Sequence, residues 1–271
     1  MKQRTKQNVM LMLVGVVPVT GFCVCWLIPL CMTFWYAFQH NAFDLRFVGL
    51  DNFSYLLNNS YFQRGMSNLL LLGGGMIISA LVAALVIAPL LCAHQRLSGV
   101  GFAILLLPLL IPSISAVKLW QSVFDTSSFL APASATASLL TLFLWKYTGV
   151  GAVLLCTALK KIPQTILDAA SLDGAGAIRT YLSIRLPIAG GQLAGVLIVL
   201  TMFMFRVYKE SYLLFGMYPS EDVYMLQHYM NNQYLKMNLQ YVTASAVILT
   251  VLALFLYGMC WLFHRRRRGL A

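Results

Sequence analysis

The chain has 271 residues, of which 60% are hydrophobic and only 10% are charged. Because a soluble globular domain carries about 25% charged residues, this composition excludes an ordinary water-soluble protein and favours the bilayer as its solvent. A hydrocarbon core about 30 Å thick needs roughly 20 apolar residues per helix, so the length allows roughly six to eight spans. The net charge of +11 and the six cysteines still need an explanation. No cysteine has a spacing typical of zinc or a disulfide framework, and we expect all six to act as small buried hydrophobes.

The first apolar run, Val9–Phe38, has no charged residue. It is about twice as long as the apolar region of a signal peptide, so we interpret it as a retained first span, bent near Pro18 or Pro29. Similar runs predict an all-α polytopic membrane protein, with one transmembrane domain over residues 1–271. The six predicted spans are 9–38, 67–93, 102–124, 138–159, 191–214 and 240–263.

Basic residues orient these spans. With six spans, both termini share one side with the loops 94–100 and 160–190, and that side holds twelve of the nineteen basic residues. The positive-inside rule therefore places both termini in the cytoplasm. The run Arg265–Arg268 directly follows the last span, which favours an anchor at the anionic cytoplasmic leaflet over a nucleic-acid site. Membrane lipid, and not nucleic acid, is the expected partner of the basic charge.

The loop 160–190 carries the most specific pattern. Pro163 is suited to the first turn of a helix over 164–172, and Gly174 is placed to end that helix in a left-handed conformation. A second short helix over 175–182 would follow, before Pro187 breaks the chain into span five. Two short helices with apolar faces outside the bilayer need a soluble protein to pack against.

The loop sequence DAASLDGA, followed by IRLP, resembles the EAA loop of ABC importer permeases. In that family the loop forms a coupling helix that docks on the ATP-hydrolysing subunit. The resemblance implies an ATPase-coupling role for the residues that match the motif: Asp168, Ala169, Ala170, Leu172, Asp173, Gly174, Ala175 and Pro187. The family usually has glutamate where this chain has Asp168, so a salt bridge carried over to this position would have a shorter reach.

The segment FVGLDNF at 47–53 resembles the outer segment of permeases for maltose, glycerol phosphate and other carbohydrates. The resemblance implies half of a carbohydrate pathway in a bacterial or archaeal inner membrane, fed by a solute-binding protein. It also implies a second, different permease chain and two ATP-binding subunits, which would hold the ATP and magnesium. The chain has no phosphate-binding loop and no hydrolytic motif, so we expect no enzyme activity, cofactor or metal site in it. Two alternatives remain open: a permease for an amino acid, polyamine or phosphate-like solute, and a membrane scaffold without transport.

Span five lines the cavity in permeases of this type. Arg206 and Glu210 are four residues apart and can pair on one helix face, either as an outer gate or structural pair or as sugar contacts. Aromatic residues of earlier spans could stack a sugar ring or anchor the chain at the outer interface. The candidates for the pathway or outer gate are Trp120, Trp145, Tyr147, Thr201, Phe203, Arg206, Lys209 and Glu210.

Overall fold

The computed structural model describes residues 15–41, 43–93, 98–124 and 134–268. Over these ranges its regular structure is helical, apart from an isolated antiparallel bridge between Gln39 and Phe47. This confirms the predicted all-α class. The helices are α1 (Gly15–Tyr36), α2 (Asp51–Asn58), α3 (Ser60–Ala93), α4 (Ser98–Leu110), α5 (Ser113–Val123), α6 (Ala135–Leu159), α7 (Gln164–Leu172), α8 (177–188), α9 (Gly190–Arg206), α10 (Tyr208–Phe215), α11 (Leu226–Leu235) and α12 (Leu239–Arg268).

Five stretches of the described chain are long and apolar enough to cross a membrane, and a bent helix pair makes a sixth. The second of them begins at Ser60, where the sequence predicts Ser67. The predicted start of the first span at Val9, the N-terminal basic residues and Arg96 lie outside the described residues. The membrane-crossing stretches are Gly15–Tyr36, Ser60–Ala93, Gly99–Leu110 with Ser113–Val123, Ala135–Leu159, Gly190–Phe215 and Leu239–Leu262.

The third span is broken, where the sequence predicts one continuous helix over 102–124. Helices α4 and α5 meet at an angle of 101° across Ile111 and Pro112. Pro112 has φ −54° and ψ 142°, an extended conformation that no helix interior allows. Because of this extended conformation, α4 ends before Pro112 and α5 begins afresh at Ser113. The break places the Ser113 hydroxyl at a helix start within the span.

Two π-helical turns accommodate two other prolines. The segments Cys23–Leu27 and Tyr181–Arg185 are π-helical, and Pro29 and Pro187 each lie two residues beyond the end of one. A wider turn lets the chain pass a residue that cannot donate the usual helical hydrogen bond. The prediction that Pro187 breaks the chain is therefore wrong, because α8 runs through it and turns only at Ala189.

The chain divides into two compact units. The first comprises Met1–Gln63 and Met230–Leu252. Within it the amide of Asn52 donates to the carbonyl oxygens of Ala37 and Gln39 at 2.9 and 2.8 Å, which fixes the turn after α1 to the start of α2. This gives a structural role to a residue of the carbohydrate-permease-like segment.

The second unit, Arg64–Tyr229 with Ala253–Ala271, is built around α6. More than half of α6 is buried, and it packs against both α4 and α9. Glycines permit this closeness: a Cβ at Gly151 would meet Ala84 at 3.1 Å and Val196 at 3.3 Å, and a Cβ at Gly149 would overlap the Leu105 carbonyl oxygen. Because α6 is closely packed on several sides, its polar side chains are held in fixed positions.

Cys92 of α3 and Cys156 of α6 are in direct contact through their sulfur atoms. The two residues are 64 positions apart, and their Cα atoms lie 5.7 Å apart. Sequence spacing could not reveal the pairing, because it depends on how α3 packs on α6.

His228 is fully buried at the start of α11. Its Nδ1 accepts a hydrogen bond from the Met225 N–H at 3.0 Å, and its ring lies edge-on to Tyr208. Burial lowers the pKa of His228 from 6.5 to about 4, since the charged imidazolium would lose its hydration. His228 is therefore a neutral acceptor at physiological pH.

We expect mild acidification to lower the stability of the protein, because His228 becomes protonated. A histidine whose pKa is lower in the folded state does not change the free energy of unfolding above its unfolded pKa of about 6.5. As the pH falls from there toward 4, it lowers that free energy. The loss is at most about 1.4 kcal/mol per pH unit in that window. Thermal unfolding in detergent between pH 7.5 and pH 5 measures it. His228→Asn keeps an acceptor for the Met225 N–H and should flatten the pH dependence; an unchanged slope in that variant would exclude His228 as the cause.

Candidate functional site

A cavity of about 230 Å³ lies where the broken third span meets α6 and the α9–α10 junction. The break at Pro112 leaves α4 and α5 splayed, and α6 and α10 supply charged side chains to the gap. All of the lining residues belong to the second unit: Leu109, Leu110, Ile111, Pro112, Ser113, Lys146, Tyr147, Phe203, Arg206, Lys209 and Glu210.

A buried ion pair lies at this cavity. Lys146 Nζ and Glu210 Oε1 are 2.6 Å apart, and the two side chains are only 5% and 3% exposed. The hydroxyls of Ser113 and Tyr147 also donate to Glu210 Oε1, at 2.8 and 3.2 Å. One carboxylate oxygen therefore connects the start of α5, the middle of α6 and the start of α10.

The second carboxylate oxygen of Glu210 is different. Oε2 is buried, and within the described part of the chain it has no hydrogen-bond partner. A buried carboxylate oxygen normally accepts several hydrogen bonds, so an unused acceptor beside a cavity indicates a place for a donor from outside the chain.

Two aromatic rings complete the cavity. Tyr147 and Phe203 are stacked, with ring centroids 4.5 Å apart and planes 15° apart. Both residues line the cavity. An apolar aromatic surface beside a few polar groups is the composition typical of small-molecule sites.

The structure brings together five of the eight residues predicted for the pathway or outer gate. Tyr147, Phe203, Arg206, Lys209 and Glu210 all line the cavity. Their predicted function in a pathway or gate stays a prediction.

The other three predicted pathway residues lie elsewhere. Trp120 belongs to an apolar cluster with Val117 and Leu142, and Trp145 packs against that cluster. Thr201 is buried and donates to the Leu197 carbonyl of its own helix at 2.8 Å. None of the three lines this cavity.

The predicted pairing of Arg206 with Glu210 is wrong. Glu210 is 2% exposed and turns to Lys146, whereas Arg206 is exposed and forms no ion pair within the described residues.

Lys146 and Ser113 are the functional candidates that sequence reasoning missed. A lysine in an apolar span is costly at membrane depth and usually faces a bundle interior or a watery cavity, so Lys146 gave a usable signal. Ser113 gave none, because its position depends on the break in the span.

The coupling-type loop has its own well-defined geometry. Helix α7 covers Gln164–Leu172, as predicted, and Gly174 has φ +75°, which confirms its left-handed conformation. The Ala175 N–H donates to Ala170 O at 2.9 Å, and the Gly174 N–H donates to Ser171 O at 3.1 Å. These two bonds form a Schellman motif, in which a glycine at this position ends the helix without steric cost.

Large apolar side chains of this loop are exposed. Leu172 is 89% exposed and Ile178 is 76% exposed, although Ala170 is buried. Asp168 is exposed and accepts a hydrogen bond from Gln164 at 3.0 Å. The loop therefore presents apolar side chains and the carboxylates of Asp168 and Asp173 to its surroundings. The ATPase-coupling role predicted for its residues stays a prediction.

Tyr181 connects the loop to a membrane helix. Its hydroxyl donates to the Leu85 carbonyl of α3 at 2.6 Å. In a regular helix this carbonyl would accept from the N–H four residues later, but that residue is Pro89, which has none. Tyr181 thus satisfies a carbonyl that Pro89 leaves without a helical partner.

We expect Tyr181→Phe to lower stability by about 1–3 kcal/mol, because the Leu85 carbonyl loses its donor. Pro89→Ala supplies a backbone N–H for the same carbonyl. The cost of Tyr181→Phe should therefore be much smaller in the Pro89→Ala background, as measured by thermal unfolding of the four variants. An equal loss of stability in both backgrounds would show that the Tyr181 hydroxyl does not stabilise the protein through the Leu85 carbonyl.

The chain is similar in sequence to known permease proteins. No family model matches the chain. It is 26% identical to the diacetylchitobiose uptake system permease protein NgcF of Streptomyces coelicolor over 287 residues, covering 93% of this chain and 81% of that protein. It is 29% identical over 207 residues to the sn-glycerol-3-phosphate transport system permease protein UgpA of Escherichia coli O157:H7, covering 69% of this chain and 67% of that protein.

One further relative and one solved structure are also similar to the chain. The trehalose/maltose transport system permease protein MalF of Thermococcus litoralis is 27% identical over 212 residues, covering 70% of this chain and 71% of that protein. In fold, the chain resembles a chain of a bacterial ABC transporter involved in the import of the acidic polysaccharide alginate. That match has a TM-score of 0.82 at 18% identity, and it covers 97% of this chain and 98% of the other.

Proposed function

Because this chain belongs to the inner-membrane permease subunits of binding-protein-dependent ABC importers, in the sugar group, we propose that it forms half of a carbohydrate pathway. It is a multi-pass plasma-membrane protein and a transport subunit. The solute reaches it on an extracytoplasmic solute-binding protein. A transporter of the matching fold has been solved with a periplasmic protein that carries an alginate pentasaccharide, which supports such a partner.

The cavity is the observation that carries the carbohydrate part of the proposal. The stacked rings of Tyr147 and Phe203 offer an apolar surface to the faces of a sugar ring. Glu210 Oε2 offers an acceptor to a sugar hydroxyl. The pair of Lys146 and Glu210 fixes this acceptor, because it connects three helices at one atom.

ATP hydrolysis belongs to separate subunits in this proposal. Two ATP-binding subunits carry the nucleotide and magnesium, and a second, different permease supplies the other half of the pathway. Helix α7 and its exposed residues Asp168 and Leu172 dock on one ATP-binding subunit. The Schellman motif at Gly174 supports this, since a fixed helix end transmits displacement from the ATPase without bending.

Substitution at Gly174 tests the docking. Gly174→Val forces a branched residue into a left-handed conformation at φ +75°, at a cost of roughly 1–2 kcal/mol, and should reduce both the co-purified ATP-binding subunit and uptake. Gly176→Val is the matched control. Gly176 has φ −65° and ψ 164°, and both glycines have open space where a Cβ would stand.

The readout is the amount of ATP-binding subunit that co-purifies per permease at equal membrane expression. We expect a clear loss for Gly174→Val and little change for Gly176→Val. Equal recovery of the ATP-binding subunit and equal uptake in both variants would contradict docking through α7.

A further inference from the structure

The cavity has an uneven charge. Four charged side chains line it: Lys146, Arg206, Lys209 and Glu210. Lys146 and Glu210 neutralise each other at 2.6 Å, and both are almost completely buried. Arg206 and Lys209 remain, and neither forms an ion pair within the described ranges of the chain. Two positive charges at this cavity are thus uncompensated.

Arg206 and Lys209 lie on one side of the helical backbone that runs from α9 into α10. They are three residues apart across the α9–α10 junction, where Val207 keeps a helical conformation with φ −63° and ψ −19°. Residues at this spacing project from one helix face, so both can reach one ligand. Uncompensated charges in a membrane-spanning stretch are costly, and they are retained mainly along solute pathways.

The chemistry of these cations selects an oxyanion. The planar arginine fork matches a carboxylate or a phosphate with two parallel hydrogen bonds, and lysine adds a point charge. The volume of about 230 Å³ lies below the roughly 300–1,000 Å³ of sites for drug-sized ligands, so the cavity has room for about one sugar ring.

We propose that the cavity is a subsite for a sugar ring that carries an anionic group, either a carboxylate or a phosphate ester. This inference rests on the proposed function. Arg206 and Lys209 bind the anionic group, Tyr147 and Phe203 contact the ring, and Glu210 Oε2 accepts a hydrogen bond from a hydroxyl. A neutral sugar fits the rings and the acceptor but leaves both cations without a counter-charge.

The test uses the complete importer complex in nanodiscs of neutral lipid, without the solute-binding protein. Saturation-transfer NMR measures the binding of three probes of similar size: D-glucuronate, D-glucose 6-phosphate and D-glucose. We expect at least one of the two anions to bind about tenfold more tightly than glucose, and the stronger of the two identifies the anionic group. The paired change Arg206→Gln with Lys209→Gln should abolish this preference, whereas Lys118→Gln, an exposed residue of α5 outside the cavity, should keep it.

Several results would overturn the inference. Equal binding of glucose and both anions would show that the two cations do not bind an anionic group of the sugar. A preference that survives in the Arg206 and Lys209 variant would place the anion elsewhere, and no binding of any probe would exclude a subsite for a single anionic ring. ATP-dependent uptake of a neutral oligosaccharide by the same complex would leave the proposed function intact in each case, whereas failure of all carbohydrate uptake would remove that function itself.

Discussion

Lys146→Met is expected to destabilise the protein by about 3–5 kcal/mol, because it leaves the Glu210 carboxylate buried without its counter-charge. Glu210 is held among the start of α5, the middle of α6 and the start of α10. Loss of the lysine therefore affects three helices at once. Thermal unfolding in detergent and the amount of folded protein per membrane both measure the effect.

The paired change Lys146→Met with Glu210→Gln tests the cause. It removes both charges, while the glutamine oxygen can still accept from the hydroxyls of Ser113 and Tyr147. Most of the lost stability should return, since replacing both members of a buried pair often costs little. Lys118→Met, at an exposed position of α5, is the control and should change stability by less than about 0.5 kcal/mol. If the paired variant is no more stable than Lys146→Met, charge burial is not the reason for the loss.

Gly149→Ala is expected to be among the most damaging single-methyl additions in the chain. A Cβ at Gly149 would overlap the carbonyl oxygen of Leu105 and lie 2.7 Å from its carbonyl carbon. Backbone atoms cannot move aside as a flexible side chain can, so α4 and α6 would have to separate. Overpacking of this kind costs roughly 1–3 kcal/mol or more. It would also displace Lys146, one helical turn away on α6.

Gly75→Ala is the matched control, because nothing lies within 4 Å of a Cβ at Gly75 of α3. In that helix alanine should be neutral or slightly stabilising. Yield of monodisperse protein and melting temperature are the measurements for both variants. Equal melting temperatures for Gly149→Ala and Gly75→Ala would contradict the close approach of α4 and α6.

Local features of the molecule were predictable from sequence. Apolar runs reveal spans because the bilayer demands about 20 apolar residues, and α7 with its left-handed Gly174 follows from the local chemistry of Pro163 and glycine. The break at Pro112 was missed because an apolar run of the right length hides a bend. The sequence does not distinguish a continuous helix from a broken span at Pro112. Proline is tolerated in membrane helices when the carbonyl that it leaves free finds another donor.

Long-range contacts were not predictable in the same way. The sequence favours Arg206 as the partner of Glu210, because spacing along one helix is the only proximity that a sequence shows directly. The true partner, Lys146, lies 64 positions away on α6. The same limit hid the contact of Tyr181 with Leu85, although Pro89 signalled that a carbonyl of α3 would need a donor. Pairings of this kind depend on how helices pack.

ATP-dependent uptake by the purified complex tests the central claim most directly. The chain, its second permease, the ATP-binding subunits and the solute-binding protein are reconstituted in vesicles. The probe is the labelled oligosaccharide that most raises the melting temperature of the binding protein. We predict accumulation of this oligosaccharide only with ATP on the side of α7 and the binding protein on the other. Equal accumulation with and without ATP, or ATP hydrolysis by the intact complex without any uptake of a carbohydrate, would contradict the account.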